Sequence, residues 1–235
     1  MVSEVHDVRV VVGQLEKAPK PGKTREIERV VVHHDSSAKF GKADIALLQL
    51  EAGLDFWGNA KFSPMSLPTR RERAGMVCKI SGWGMTDDNQ ESQVLRWGET
   101  RIVKIPRDVI RNDVETRKTD LIAVGNDPRA ALGLGDSGSG LLCRRGTETH
   151  VYGVAWGILQ PEHHDEPAGT VEWPAYYTSV HYNLKWIREQ MGIPRQERGP
   201  WEPVITRSVK NERGNILIRF LRSVTRFFRR SNDEL

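Results

Sequence analysis

Along most of this chain, apolar residues come in short runs cut by turn residues. Val8–Val12 ends at Gly13, and Ile27–Val32 and Ile45–Leu50 follow. Later runs are Val77–Gly84, Thr100–Val103, Gly140–Cys143, Val151–Trp156 and Ala175–Val180. Runs of this length, rich in Val, Ile and Tyr and bounded by Gly or Pro, predict short β-strands. Many such strands in series predict a sandwich or barrel. No repeat stands at solenoid spacing. Helical spacing comes late, over Asn183–Met191, where Gly192 and Pro194 stop it.

The segment from Pro194 to Pro203 is rich in Pro, Gly and charge and predicts a connector. The boundary near Ile193 divides the chain into a domain over 1–193 and a tail over 194–235. At 100° per residue, Ile216, Leu217, Phe220, Leu221, Val224, Phe227 and Phe228 cover one sector of a helix spanning 216–230. Arg219, Arg222, Arg226, Arg229 and Arg230 cover the opposite sector, and only Ile218 is out of place. Such a helix lies in an anionic membrane interface, docks in a groove, or packs on its own domain.

Composition narrows the picture. The 235 residues are 38% hydrophobic, normal for a globular chain with a sizeable core. No run reaches transmembrane length, and the first residues lack the basic and apolar regions of a signal peptide. The net charge is +4. Ten Lys and Arg against five Asp and Glu from Pro194 onward leave the first 193 residues near −1. The basic character belongs to the tail, and no nucleic-acid partner is expected. Cys78 and Cys143 allow one disulfide or two thiols.

The chemistry gathers at Gly133-Leu134-Gly135-Asp136-Ser137-Gly138-Ser139-Gly140. A serine hydroxyl becomes a nucleophile only when a base takes its proton and backbone amides receive the oxyanion. Glycines allow the tight turn that aims those amides. The same residues also build ordinary turns, so the surroundings decide between the two.

Those surroundings are Ala43-Asp44-Ile45-Ala46-Leu47-Leu48-Gln49-Leu50, Cys78-Lys79-Ile80-Ser81-Gly82-Trp83-Gly84 and Val154-Ala155-Trp156-Gly157. In this order, with the serine loop, they resemble the trypsin-like (chymotrypsin-fold) serine protease family over roughly residues 8–193. The resemblance implies an all-β fold of two six-stranded antiparallel Greek-key barrels, the first incomplete here, with a C-terminal helix. It implies Ser137 as nucleophile and Asp44 as the carboxylate that orients a catalytic histidine, with the amides of Gly135 and Ser137 as the oxyanion hole. It implies a Cys78–Cys143 disulfide, an oxidising extracellular or secretory location, and a peptide or protein substrate. Ala131 stands at the base of the implied specificity pocket. Ala155, Trp156 and Gly157 form the implied substrate strand, and Ala175 forms a wall with Gly157. With Ala131 uncharged and Ala175 in place of a glycine, small or medium apolar side chains are expected to fit.

The departures from the family pattern matter as much. The family carries its histidine before the strand matched by Val8–Gly13, where this chain begins. His6 is followed by Asp7 where the family has cysteine, and His33, His150, His163, His164 and His181 read as surface or satisfied residues. The family's Asp136 pairs with an amino terminus released by cleavage, so here it is expected to be solvated or to leave the loop zymogen-like. Ala155 replaces a supporting serine. His33-His34-Asp35 lacks the further ligands a metal needs, the loop Gln14–Glu26 is basic and unsuited to calcium, and no metal or cofactor is expected. The implied function is endopeptidase chemistry through an acyl-enzyme on Ser137. The alternative is a catalytically inactive homologue acting as a binding or regulatory module.

Overall fold

A computed structural model of the chain describes residues 9–36, 43–54, 63–86, 88–105, 120–125, 130–158 and 174–193. The connector and tail from Pro194, including the helix expected over 216–230, lie outside the described residues, as do His6, His163 and His164.

Among the described residues there are nine strands, eight of them on the apolar runs: β1 (Arg9–Val11), β2 (Thr24–Val32), β3 (Ala46–Leu50), β4 (Val77–Gly82), β5 (Arg96–Val103), β6 (Leu121–Gly125), β7 (Gly140–Arg145), β8 (Glu148–Ile158) and β9 (Ala175–Ser179). One helix, α1 (Leu184–Gln190), follows them. Strands β1, β2 and β3 form an antiparallel sheet in that order. The other six close into an antiparallel barrel, β4-β5-β6-β9-β8-β7, which leaves no strand edge unpaired. The closed barrel, the second sheet and the helix near the C-terminus agree with the chymotrypsin fold.

The sequence pattern missed β6. Leu121–Gly125 is buried along its whole length, paired with β5 on one side and β9 on the other. A strand buried on both faces has no polar alternation to reveal it.

Period-two alternation explains how two apolar cores share one wall. On β7, Leu141 and Cys143 pack inside the barrel with Ile80, Ile102, Ile122, Tyr152 and Tyr177. Leu142, between them, points outward to Val151, Val154, Val180 and the helix residues Leu184, Trp186 and Ile187. Ile45 joins that outer cluster, and Val31 and Leu47 pack against it, so it seals the first sheet to the barrel. Each fully buried aliphatic side chain contributes about 1.5–3 kcal/mol. Cys78 and Cys143 face each other across β4 and β7 and are joined by a disulfide.

Candidate active site

The serine loop lies between Leu132 and β7. Its backbone is bound on two sides. Gly138 donates its amide to Ala155 O at 2.9 Å, and Ala155 donates its own to Ser139 O at 2.8 Å. This reciprocal pair fixes the loop to β8 beside Trp156 and Gly157. On the other side Met85 donates its amide to Leu134 O at 2.8 Å. Within the loop, Asp136 N bonds Gly133 O at 3.1 Å and Ser139 N bonds Asp136 O at 3.0 Å. Gly135 has φ +93° and Gly138 φ +87°, left-handed conformations that glycine adopts without Cβ strain. Ser137 sits exposed between them.

Asp136 is half-buried and carries the strongest ties in the loop. Its Oδ1 accepts the Gly84 amide at 2.8 Å and its Oδ2 accepts the Gly133 amide at 2.9 Å. Against the expected solvation of Asp136, each of its carboxylate oxygens accepts a backbone amide. The room comes from missing side chains. A Cβ on Gly82 would stand 1.9 Å from Asp136 Oδ1, and one on Gly84 2.6 Å from its Cγ.

Beside the loop, Ala131 is exposed and Ala175 is 2% exposed. Gly157 pairs with Tyr176 across β8 and β9, and a Cβ there would meet nothing within 4 Å. Trp156 packs edge-on against Tyr176 with ring centroids 6.4 Å apart. Among the described residues, the buried Tyr177 hydroxyl has no hydrogen-bond partner. Burial first, and then the Asp136 charge, push its pKa well above the ordinary phenol value.

Asp44 stands elsewhere, just ahead of β3 on the first sheet, half-buried. Ile45 N donates to Ala43 O at 2.8 Å, which makes Asp44 the centre of a three-residue turn. His33 N holds Ile45 O at 3.1 Å. Ile45 packs in the same cluster as Val154, the neighbour of Ala155, so continuous packing joins the element of Asp44 to that of Ser137.

Among the described residues, no histidine is hydrogen-bonded to Ser137 or Asp44. His33 lies 4.6 Å from Trp186 by ring centroids, and its Nδ1 accepts the Asp35 amide at 3.1 Å. The buried His150 ring makes a 3.2 Å hydrogen bond through Nδ1 to Leu67 O. Donor atoms of His33, His34 and Asp35 lie within 4.8 Å of one another. The two imidazoles, however, are stacked at 4.5 Å with planes 18° apart. His33 Nδ1 is already engaged by the Asp35 amide.

Sequence reading did not find three contributors: the amides of Gly84 and Gly133 as partners for Asp136, the buried Tyr177 hydroxyl, and Asp120. Asp120 is 4% exposed at the start of β6 and accepts the Ala43 amide through Oδ2 at 2.6 Å. The only sequence signal was an aspartate immediately before an apolar run.

A glycine-framed serine tied to the wall of a six-stranded antiparallel barrel, with a first sheet packed against it, defines a serine protease fold of the chymotrypsin type. A family model described as Trypsin matches residues 1–187, and the chain belongs to that family. It is 30% identical over 201 residues to kallikrein-15 of Homo sapiens, covering 78% of this chain and 73% of that protein. Complement factor I of Rattus norvegicus is 29% identical over 179 residues, 72% of this chain and 27% of that protein. The solved structure of neuropsin, a serine protease expressed in the limbic system of mouse brain, is similar in fold with a TM-score of 0.65. That match has 21% sequence identity and covers 80% of this chain and 81% of the other.

Proposed function

We propose that the protein is an endopeptidase whose nucleophile is Ser137. Its Oγ attacks a peptide carbonyl carbon, and its proton passes to an imidazole oriented by Asp44. The same imidazole then protonates the leaving amine, and water hydrolyses the acyl-enzyme. The amides of Gly135 and Ser137 receive the oxyanion. One observation carries this reading. The exposed Ser137 belongs to a loop held from behind by both oxygens of Asp136 and from the side by the reciprocal Ala155 bonds. Preorganised amides are what acyl transfer demands of a protein.

The substrate side chain enters an uncharged recess formed by Ala131, Gly157 and Ala175. Leu134, 78% exposed beside Gly135, adds an apolar rim. Small or medium apolar residues fit best, with discrimination of about 1–3 kcal/mol per methylene. The disulfide supports an oxidising, extracellular or secretory location. The basic amphipathic segment 216–230 supports contact with an anionic membrane, and no nucleic acid is engaged.

A second reading, a binding or regulatory homologue without hydrolysis, is favoured by one observation. None of the described histidines is hydrogen-bonded to Ser137 or Asp44; His33 and His150 are engaged elsewhere, and Ala155 offers no hydroxyl to Asp44. In the family pattern the required histidine precedes the segment at Val8–Gly13. A fluorophosphonate probe separates the readings when applied to the 235-residue chain and to a form extended with its upstream coding sequence. Labelling that Ser137→Ala abolishes supports the endopeptidase, whereas absence of labelling in both forms supports the binding module.

A further inference from the structure

We propose that Asp120, on the barrel, is a positioning residue for Asp44 on the first sheet, setting the direction in which the Asp44 carboxylate points. The proposal rests on the reading of Asp44 as the carboxylate partner of catalysis.

The geometry is local and specific. Ala43, immediately before Asp44, has φ +47°, a left-handed conformation that is strained for a residue carrying a Cβ. Alanine has no side chain to stabilise that turn, so an outside group must hold it. The Asp120 carboxylate does so by accepting the Ala43 amide at 2.6 Å, across 77 residues of sequence. Ala43 is 4% exposed, so water does not substitute for the carboxylate. On the far side of Asp44, the Ile45 amide returns to Ala43 O and the Ile45 carbonyl is held by His33. The direction of the Asp44 side chain therefore follows from a three-residue turn whose first amide is gripped from the other half of the molecule.

Asp120 is itself well anchored. Its carbonyl accepts the Ser179 amide, and Asn183 hydrogen-bonds its side chain. Asn183 in turn donates Nδ2 to Ser179 O at 2.8 Å. The anchor thus joins β6, the end of β9 and the start of α1 into one rigid point. The barrel that carries Ser137 also sets the turn that carries Asp44, which ties the two groups to one frame. A carboxylate buried to this degree is costly, and burial pushes the Asp120 carboxyl above its ordinary value against the hydrogen bond from Ala43.

The test compares Asp120→Ala and Asp120→Asn in the full chain, reading the side-chain carboxyl carbon resonance of Asp44 and the hydrogen exchange of the Ala43 amide by NMR. Asp120→Ala should move the Asp44 resonance and accelerate Ala43 exchange at least tenfold, and Asp120→Asn, whose Oδ1 still accepts the amide, should restore both. An Asp44 resonance unchanged in Asp120→Ala overturns the proposal, whatever happens to the melting temperature. If Asp120→Ala does not fold, Asp120→Asn and the shorter Asp120→Ser decide: the first must leave Asp44 as in the parent and the second must move it, and any other pattern overturns the proposal. Fluorophosphonate labelling of Ser137 is read in parallel and should slow roughly 10- to 100-fold in Asp120→Ala wherever the parent labels. A parent in which Ser137 never reacts removes the catalytic reading, while the Asp44 resonance still decides the positioning role.

Discussion

The Asp136 carboxylate accepts the amide of Gly84, 52 residues earlier in the chain, at 2.8 Å. A half-buried carboxylate needs donors, and this loop finds them in backbone amides, the second from Gly133. The approach is so close that Gly82 and Gly84 have no space for a methyl group. The glycines on either side of Trp83 are therefore a steric requirement of the serine loop, not of their own strand.

A Cβ at position 84 would stand within 2.7 Å of three Asp136 atoms. Gly84→Ala is expected to destabilise the fold by about 1–3 kcal/mol and to reduce fluorophosphonate labelling of Ser137. Urea unfolding and probe labelling check the two effects. A variant with unchanged stability and labelling contradicts this account.

Gly157 gives the opposite expectation. A Cβ there meets nothing within 4 Å, so Gly157→Ala should leave stability within about 0.5 kcal/mol of the parent. If Gly157 lines the recess, larger side chains at this position should progressively exclude medium apolar residues from substrate peptides. Peptide-library profiling of a Gly157→Val variant would show that shift.

Cys78 and Cys143 are 65 residues apart in sequence. Closing a loop of that length restricts the unfolded chain by about 4 kcal/mol. Replacing both with alanine should lower the unfolding free energy by a comparable amount, measured by urea titration. A loss below about 1 kcal/mol shows that residual structure in the unfolded state already provides the restraint.

Burial lowers the His33 imidazole from its usual value. His34 adds to the effect, and Asp35 and Asp120 oppose it. His181 is lowered by burial as well, against Glu72. Because the folded values lie below the unfolded ones, the unfolded chain takes up protons first on acidification. The stability tied to these neutral rings is present above about pH 6.5 and is lost as pH falls through the folded values. The urea midpoint should drop between about pH 7.5 and pH 5, less steeply in His33→Gln. A flat parent profile over that window sinks the expectation.

Strands with one wet face, such as β2 with its mixed burial, announced themselves by alternation. So did α1, through the apolar spacing of Leu184, Trp186 and Ile187 and the stop at Gly192. Strand β6 did not, because burial on both faces erases the polar positions that mark a period. In the candidate site, Ser137 and its glycines were legible because the turn needs residues of that type. The partners of Asp136 were not, because backbone amides have no letter of their own.

Sequence by itself determined the strand-rich class, the closing helix, the serine loop, the aspartate run at Asp44 and the family resemblance. Each is a local pattern, set by the period of side-chain exposure or by the conformational freedom of glycine. Only the tertiary structure decided that β6 closes the barrel, that Asp136 is satisfied by Gly84 and Gly133, and that Asp120 grips the turn before Asp44. These ties join residues up to 77 positions apart. Their partners include main-chain atoms and empty space at glycines, which exist as features only once the chain has folded back on itself.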